Sequence, residues 1–330
     1  MLILTKEDIE AVCSMEDAIE AVKEAFIIHS EGSVKVPLRI NIRSDKYNGN
    51  MLFMPAYCEQ KDAASLKIVS VYPDNKEKKL PSTPAQVLLI DPSTGIVLSI
   101  LDGTYITALR TGAASGAAFS VLAKSECKMG ALIGTGTQAA MQLEAMITSK
   151  KPKIVKVYSR NKERLNSFVE NMKTKFKSKD VEITASDSAD AAVEEADILI
   201  TATNSDKPLF SARSCKPGLT ISAVGSFTKQ MQELDAMVLK KASKIYYDDK
   251  EAMLEEAGEI IKALENNDID EKKLSGSLGE ALAGKIRLRE NDEEIIVFKS
   301  VGLGTQDLIT AKKVYDNAIS KKIGKHIDIG

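Results

Sequence analysis

The chain has 330 residues, with 45 basic and 47 acidic side chains and a formal net charge of −2. This length fits two domains or one large α/β unit. The balanced charge gives no electrostatic reason for a nucleic-acid partner, no apolar run is long enough to span a bilayer, and the first residues lack a secretory signal pattern. We therefore expect a cytoplasmic protein that binds neither nucleic acid nor a membrane.

The cysteines and histidines narrow the possible chemistry. Four cysteines, at positions 13, 58, 127 and 215, stand far apart with no CxxC pair, which predicts buried free thiols and no disulfide or metal site. The two histidines, His29 and His326, fall near helix or chain ends, where we expect them to face solvent. An acid or base in a reaction would then be Lys, Asp, Glu, Tyr or water.

The first third begins with a helix and continues with strands. Helical periodicity runs through "MEDAIEAVKEAFIIHSEG", after a start signal at Ser14 and Asp17. Strand-like segments follow in "VPLRINIRS", "NMLFMPAY", "SLKIVSVYP" and "AQVLLIDPSTGIVLSILD", the last a hairpin around the turn residues "DPSTG". Because few helices separate them, we expect a mostly antiparallel sheet, followed by the small-residue helix "TYITALRTGAASGAAFSVLAK".

From Met129 onward, strands alternate with helices. Six strands, in "MGALIG", "KIVKVYS", "VEITA", "DILITAT", "LTISAVG" and "SKIYYDD", are separated by helical segments, and "EEIIVFKSVG" offers one more. This alternation predicts a parallel doubly wound sheet of the Rossmann type. The final helix, "TQDLITAKKVYDNAISKK", could end this domain or return to the first. The expected fold class is α/β, with a Rossmann sheet and a mostly antiparallel α/β domain.

A glycine motif follows the first strand of the Rossmann pattern. Gly134, Gly136 and Ala139 form GxGxxA directly before a helix. The first glycine permits a tight turn, the second lets backbone approach a pyrophosphate, and the alanine allows close helix–strand packing. A Gly-rich turn alone could be structural, but its position between strand and helix favours dinucleotide binding.

The end of the next strand bears on the choice of cofactor. NAD enzymes usually carry Asp or Glu there, but this chain has Ser159 and Arg160, with Lys162 and Arg164 nearby. A guanidinium pairs with a 2′-phosphate, which a carboxylate would repel. These residues could also be ordinary solvated charges at a helix start. We favour NADP(H) and keep NAD(H) possible.

Two further strand ends should lie at the same edge of the sheet. They are Thr203, after "DILITA", and Val224-Gly225-Ser226, after "LTISA". Each could be a simple turn, but several small residues on one edge suit a flat cofactor.

Three cations stand in apolar or small-residue segments of the first domain. They are Arg39, Lys67 and Arg110. Any of them could reach water along its own stem. Lys67 has apolar neighbours on both sides, and desolvation lowers the pKa of an ammonium group. Together the three suit a substrate with a carboxylate, which arginine binds bidentately.

These residues and motifs carry a family resemblance. In order along almost the whole chain stand "VPLR", "LFMPAY", "LPS", "DPSTG", "LDGTYITALRTGAAS", "IGTGTQA", "ADILITAT", "KPG", "AVGS", "QELD", "EAGE", "LGE" and "VFKSVGLGTQD". This set resembles the ornithine cyclodeaminase/μ-crystallin family of NAD(P)-dependent enzymes.

The resemblance implies a homodimer with two domains per chain. Residues 1–119 with 305–330 would form the substrate-binding and dimerisation domain, and residues 120–304 the Rossmann domain. It implies that Lys67 and Arg110 are catalytic, and that Arg39, Ser82, Phe227 and Val301 contact the substrate with them. The implied cofactor contacts are Arg110, Thr111, Gly134, Gly136, Thr137, Gln138, Ser159, Arg160, Thr203, Val224, Gly225, Ser226, Ser300 and Gly302. No metal is implied.

Three positions depart from the pattern of the true cyclodeaminases. Leu52 and Phe227 stand where those enzymes have acidic residues, and Met231 stands where they have a lysine. Cyclodeamination needs carboxylates to bind and deprotonate a second amine. An apolar wall instead suits a substrate with a carboxylate and an imine but no distal ammonium.

We therefore expect an NAD(P)H-dependent reductase of a small carboxylated imine. Pyrroline-2-carboxylate to proline and piperideine-2-carboxylate to pipecolate are representative reactions. The alternatives are an ornithine cyclodeaminase, an alanine or other amino-acid dehydrogenase, and an opine-like dehydrogenase. A NADPH-dependent small-molecule binding protein is the alternative from another class, although a storage protein needs no titratable group at Lys67.

Overall fold

The computed structural model describes residues 1–328. The chain divides into two compact units: unit 1 is Met1–Arg110 together with the chain from Leu303 onward, and unit 2 is Thr111–Gly302. The boundaries expected from the family resemblance are after residues 119 and 304. The first was placed later because the chain passes from unit 1 to unit 2 within one continuous helix, whose sequence pattern has no break at Arg110.

The secondary-structure elements follow in chain order. The strands are β1 Leu2–Leu4, β2 Val34–Lys35, β3 Ile40–Ser44, β4 Gly49–Cys58, β5 Ala63–Val71, β6 Ala85–Ile90, β7 Val97–Asp102, β8 Met129–Ile133, β9 Ile154–Tyr158, β10 Glu182–Ala185, β11 Ile198–Thr201, β12 Thr220–Ala223, β13 Lys244–Tyr247, β14 Leu274–Ser277, β15 Ile296–Lys299 and β16 Lys325–His326. The helices are α1 Lys6–Val12, α2 Met15–Ser30, α3 Gly103–Leu122, α4 Ala139–Lys150, α5 Lys162–Lys175, α6 Ala189–Val193, α7 Ala236–Lys241, α8 Lys250–Glu256, α9 Gly258–Glu265, α10 Leu278–Leu282 and α11 Gly304–Lys321.

Unit 1 is built on a mostly antiparallel sheet, which confirms the prediction. Its order is β16-β1-β7-β6-β5-β4-β2, with β3 also paired to β4, and β1–β7 is its parallel pair. The expected hairpin joins β6 and β7. Asp91 closes its turn by accepting hydrogen bonds from Ser93 N at 2.8 Å and Thr94 Oγ1 at 2.9 Å, and Gly95 takes a positive φ of 75°.

Helix α11 covers this sheet, and α2 packs on α11. In α2, Ser14 and Asp17 form the expected capping box, with Asp17 N donating to Ser14 Oγ at 3.1 Å. The final helix, α11, packs on α2 and on β4, β5 and β6, so it belongs to unit 1. The expectation that His29 faces solvent is wrong, because the start of α11 partly covers it and its Nδ1 lies 3.2 Å from Thr305 Oγ1. His326 is exposed.

Unit 2 contains a parallel sheet of eight strands in the order β10-β9-β8-β11-β12-β15-β13-β14. The chain moves outward from β8 through β9 to β10 and then returns to β11, on the other side of β8. The carboxyl ends of β8 and β11 therefore meet at a topological switch point, where such sheets bind ligands. The sequence did not predict β14, because "LSGS" is short and polar; parallel pairing with β13 makes it a strand.

Close packing supports unit 2. The part of α3 in this unit uses its small residues as expected: a Cβ added to Gly112 would lie 2.5 Å from Met141 O. Ser115 Oγ donates to Gln142 Oε1 at 2.6 Å and lies 2.8 Å from Ser222 Oγ. All four cysteines are buried free thiols, as predicted. Among residues 1–328, no helix combines the length and apolar character that a membrane crossing requires.

Candidate active site

The turn after β8 fits a dinucleotide pyrophosphate. Gly134 has a φ of 115°, and a Cβ there would lie 2.4 Å from Ala202 O, so only glycine fits. Gly136 is exposed and faces open space, with no atom within 4 Å of an added Cβ. Thr137 is also exposed, and the buried Gln138 Oε1 has no hydrogen-bond partner among residues 1–328. Open backbone thus lies at the start of α4, the end of a helix that attracts phosphate.

The end of β9 carries the residues expected to choose the cofactor. Ser159 is half-buried, and Arg160 is exposed with no ion pair to a carboxylate among residues 1–328. Asn161 accepts a hydrogen bond from Arg164 N at 2.9 Å and so fixes the start of α5. The guanidinium of Arg160 is therefore available to an anionic ligand.

A buried carboxylate organises the ends of β11 and β12. Glu233, in "QELD", is fully buried, and burial raises its pKa. It accepts four hydrogen bonds, from Thr201 Oγ1 at 2.9 Å, Thr203 N at 2.7 Å, Thr203 Oγ1 at 2.9 Å and Gly225 N at 2.8 Å. A Cβ at Gly225 would lie 2.3 Å from Thr203 N, so glycine is required there. Glu233 thereby fixes two of the strand ends that the sequence analysis assigned to the cofactor.

A buried ion pair lies under the next turn. Lys299, at the end of β15, is 3.2 Å from Glu259 Oε1, and both side chains are fully buried. Lys299 Nζ also donates to Ser226 O at 2.7 Å and Ser226 Oγ at 2.8 Å, and Ser226 Oγ donates to Glu259. Ser226, which is expected to contact the cofactor, is fully buried, and its hydroxyl is used in this internal network.

Asp248 holds the segment after β15. Its Oδ2 accepts from Ser300 Oγ at 2.8 Å, Val301 N at 2.8 Å and Gly302 N at 2.7 Å. Ser300 and Val301, which are expected to contact the cofactor and the substrate, are buried, at 3% and 9% exposure. Asp248 is thus a positioning residue that the sequence analysis missed.

The remaining predicted residues of unit 2 have exposed surface. Phe227 follows the buried network of Ser226 and is 42% exposed. Thr111, Thr203 and Val224 are half-buried. An exposed phenylalanine next to a rigid buried turn can contact a ligand without moving the backbone.

The predicted cations of unit 1 form a buried cluster with two residues from α11. We call Lys67, Arg110, Gln306 and Asp307 the lysine cluster. Lys67 Nζ donates to Asp307 Oδ2 at 2.5 Å, Arg110 Nε donates to Asp307 Oδ1 at 3.1 Å, and Arg110 Nη1 donates to Gln306 Oε1 at 3.0 Å. All four side chains are buried, with Lys67 only 1% exposed. The cluster places an ammonium and a guanidinium on opposite oxygens of one carboxylate.

The environment of Lys67 gives it a titration near neutrality. Burial and the charges of Arg110 and Arg39 lower its pKa, Asp307 opposes them, and the resulting pKa is about 8, below the usual 10.5. Arg39 is half-buried in the segment before β3, within electrostatic reach of Lys67. Ser82 is half-buried, and its carbonyl accepts from Tyr72 N at 2.8 Å. At physiological pH such a lysine can both hold and release a proton.

Sequence reasoning missed Gln306 and Asp307. Both lie in the first turn of α11, where acidic and amide side chains commonly cap the helix. Gln306 does cap it, since its Oε1 also accepts from Leu303 N at 2.9 Å. The sequence carried no signal that Asp307 instead meets Lys67, 240 residues away.

The fold of unit 2 and its glycine motif identify the class of protein. A parallel doubly wound sheet with GxGxxA at its switch point defines a Rossmann-type dinucleotide-binding protein. The chain belongs to the ornithine cyclodeaminase/mu-crystallin family, whose sequence profile matches residues 1–322.

Individual relatives cover nearly the full chain. A structure of Thermococcus litoralis Delta(1)-pyrroline-2-carboxylate reductase in complex with NADH and L-proline is 40% identical, with a TM-score of 0.94, and covers 99% of this chain and 100% of that one. Alanine dehydrogenase from Archaeoglobus fulgidus is 38% identical over 326 residues, 99% of this chain and 98% of its own. An archaeal alanine dehydrogenase dimer with bound NAD is 37% identical, with a TM-score of 0.91, and covers 100% of this chain and 99% of that one.

Proposed function

We propose that this protein reduces a small imine bearing a carboxylate, with NADPH or NADH as the reductant. Pyrroline-2-carboxylate to proline and piperideine-2-carboxylate to pipecolate are the representative reactions. The observation that carries this proposal is the lysine cluster, in which the buried Lys67 has a pKa of about 8 and lies on the same carboxylate as Arg110. The Thermococcus litoralis relative, which was solved with NADH and L-proline, supports the substrate class.

The residues of unit 1 act on the substrate in this proposal. Arg110 and Arg39 bind the substrate carboxylate, because guanidinium groups match carboxylates in geometry and charge. Lys67, as the ammonium form, donates its proton to the imine nitrogen. When bound, the reduced nicotinamide supplies a hydride to the imine carbon, so that C=N becomes CH–NH and the cofactor is oxidised. Lys67 is left as a neutral amine and regains a proton from water.

The residues of unit 2 hold the cofactor in this proposal. Gly134, Gly136, Thr137 and Gln138 would surround the pyrophosphate at the start of α4. Ser159 and Arg160 would contact a 2′-phosphate, which favours NADP(H), while the NADH in the Thermococcus litoralis structure keeps NAD(H) as an acceptable cofactor. Thr111, Thr203, Val224, Gly225 and Gly302 complete the proposed contacts from this unit.

Apolar residues argue against cyclodeamination. Phe227 and Leu52 stand where that reaction needs carboxylates for a second amine. Phe227 is exposed enough to line a ring-shaped substrate, and Leu52 is half-buried on β4. A substrate with a distal ammonium would meet no counter-charge at either position.

An alanine dehydrogenase is the second candidate function. The 38% identity to the Archaeoglobus fulgidus enzyme favours it specifically. The same lysine cluster could protonate the imine formed from pyruvate and ammonia, since that imine also carries a carboxylate. The two candidate functions differ in the imine that is reduced. In both of them Lys67 is the acid.

We also propose that the protein is a cytoplasmic homodimer. Leu38, Ile40 and Ile42, on and beside β3, are 58%, 58% and 48% exposed. An apolar row on a strand at the margin of a sheet commonly marks an interface. The archaeal alanine dehydrogenase dimer shows that a relative pairs with itself.

A substrate panel tests the function. Oxidation of NADPH and NADH is followed with pyrroline-2-carboxylate, piperideine-2-carboxylate, and pyruvate with ammonia, while ornithine with NAD is assayed for proline and ammonia. We expect the cyclic imines to be turned over fastest, and Lys67→Ala to lose most of that activity while still binding NADPH. Full turnover by Lys67→Ala would contradict the role of Lys67. Tight NADPH binding without any turnover would favour a binding protein.

A further inference from the structure

Asp307 is the shared acceptor of the lysine cluster. Its two oxygens are divided between two cations, with Oδ2 at 2.5 Å from Lys67 Nζ and Oδ1 at 3.1 Å from Arg110 Nε. The carboxylate is 1% exposed and comes from the first turn of α11, whereas the cations come from β5 and α3. Three separate elements of unit 1 therefore converge on this one side chain.

The charges around Lys67 make Asp307 the decisive anion. From α3, Arg110 disfavours the ammonium form, and so does Arg39 from the segment before β3. From α11, Asp307 favours it through both its charge and its hydrogen bond. Burial also disfavours the ammonium form. Asp307 therefore opposes three effects that lower the pKa of Lys67.

We propose that Asp307 is a positioning residue of imine reduction, which fixes Lys67 and Arg110 at a set separation and keeps Lys67 protonated until the imine takes the proton. This inference rests on the proposed function. In the proton transfer, an N–H bond of the Lys67 ammonium breaks, an N–H bond forms on the imine nitrogen, and Lys67 remains as a neutral amine. Asp307 continues to accept from Arg110 after the transfer.

The hydrogen bonds that Arg110 already makes limit how it can bind the substrate. Its Nε faces Asp307 and its Nη1 faces Gln306, so the guanidinium edge that contains Nε is already occupied. A substrate carboxylate must then bind through Nη2 and the second N–H of Nη1. While Lys67 keeps its proton, loss of the Asp307 charge leaves one more net positive charge for the substrate anion, but above the lowered pKa of Lys67 the loss of its proton cancels that gain. Substrate binding should therefore stay equal or strengthen, whereas proton donation should weaken.

The test is Asp307→Asn, which keeps the shape and removes the charge. We expect the pH above which kcat for imine reduction declines to fall from about 8 by at least about one pH unit, since an opposite charge within hydrogen-bond reach shifts a pKa by about one to three units. At pH 8 kcat should fall at least about fivefold, near pH 6 it should approach that of the unchanged protein, and KM for the imine should stay equal or decrease. Asp316→Asn, in the exposed pair with Lys312 on the same helix, is the matched control and should change none of these.

A second readout does not depend on any substrate. Protein labelled with 13C at lysine Cε is titrated by NMR, and the Lys67 signal is assigned by its loss in Lys67→Met. We expect a titration near pH 8 in the unchanged protein and a lower one in Asp307→Asn. An unaltered Lys67 titration in a folded Asp307→Asn protein overturns the inference, even if pyrroline-2-carboxylate proves to be the wrong substrate. Loss of kcat by the same factor at every pH also overturns it, since a purely structural role has that result.

If Asp307→Asn does not fold, Asp307→Glu tests the role of the Asp307 charge. The longer carboxylate keeps the charge but displaces its oxygens from one of the two cations. We expect the Lys67 titration to stay near pH 8 while kcat decreases. A titration well below pH 8 in a folded Asp307→Glu protein overturns the role of the charge.

Discussion

Lys67 and Asp307, 240 residues apart in the chain, form a buried ion pair in which Nζ lies 2.5 Å from Oδ2. Burying two charges is unfavourable unless each remains paired, and removal of one partner leaves the other uncompensated. Here a second cation, Arg110, also lies on the carboxylate, so the cluster carries net positive charge. That excess charge is what an anionic substrate would neutralise.

The pH dependence of the reaction should follow Lys67. Its pKa of about 8 lies below the usual 10.5, so Lys67 is mostly ammonium below pH 8 and mostly neutral amine above it. Imine reduction needs the ammonium as the acid and should decline above about pH 8. Oxidation of L-proline needs the neutral amine as the base and should rise through the same pH. Initial rates in both directions from pH 6 to 10, at saturating cofactor, check this, and parallel profiles would contradict it.

Cofactor preference should depend on Arg160. Its exposed guanidinium makes no ion pair with a carboxylate among the described residues, so it is available to a 2′-phosphate. We expect Arg160→Asp to raise KM for NADPH at least about tenfold through lost pairing and new repulsion, with KM for NADH changed much less. Steady-state kinetics with both cofactors measure the ratio. Lys162→Ala is the control for a general loss of positive charge, and equal effects of the two variants would contradict a specific role.

The fold could be predicted further than the site. The strands of unit 2 were predictable because buried parallel strands appear as short apolar runs between helices, and "DPSTG" has the chemistry of a hairpin turn. The strand β14 was not, since its four residues become a strand only by pairing with β13. The division at Arg110 was also not predictable, because α3 continues through it without a break in pattern.

The site was only half predictable. Residues that need a special backbone, such as Gly134, or that are unusual in their surroundings, such as Lys67, could be recognised from the sequence. The carboxylates Asp307, Glu233 and Asp248 could not, since each acts through partners that are distant in sequence or on neighbouring strand ends. An acidic residue at a helix start or after a strand usually caps a turn, and only the tertiary structure shows which cation or amide it contacts.

Phe227 should control substrate choice. It follows the fixed turn at Ser226 and is partly exposed, so its ring can border the substrate without adjusting the backbone. We expect Phe227→Asp to lower kcat/KM for pyrroline-2-carboxylate by about ten- to a hundredfold, because a carboxylate would stand near the substrate anion. Phe227→Leu, which stays apolar, should lose much less. Equal losses in both variants would point to lost packing and contradict the electrostatic reason.

Replacement of Glu233 should lower both the stability of the protein and its affinity for the cofactor. It accepts four hydrogen bonds from the ends of β11 and β12, whereas the amide nitrogen of a glutamine cannot accept any. In Glu233→Gln some buried donors lose their acceptor, which costs about 1–3 kcal/mol each and is partly offset because a buried charge is removed. We expect the free energy of unfolding in urea to fall by about 2 kcal/mol and NADPH affinity to fall several-fold, as the strand ends shift. Glu163→Gln, on the exposed start of α5, is the control. Lower stability with unchanged NADPH affinity would show that Glu233 supports the sheet but does not position the cofactor edge.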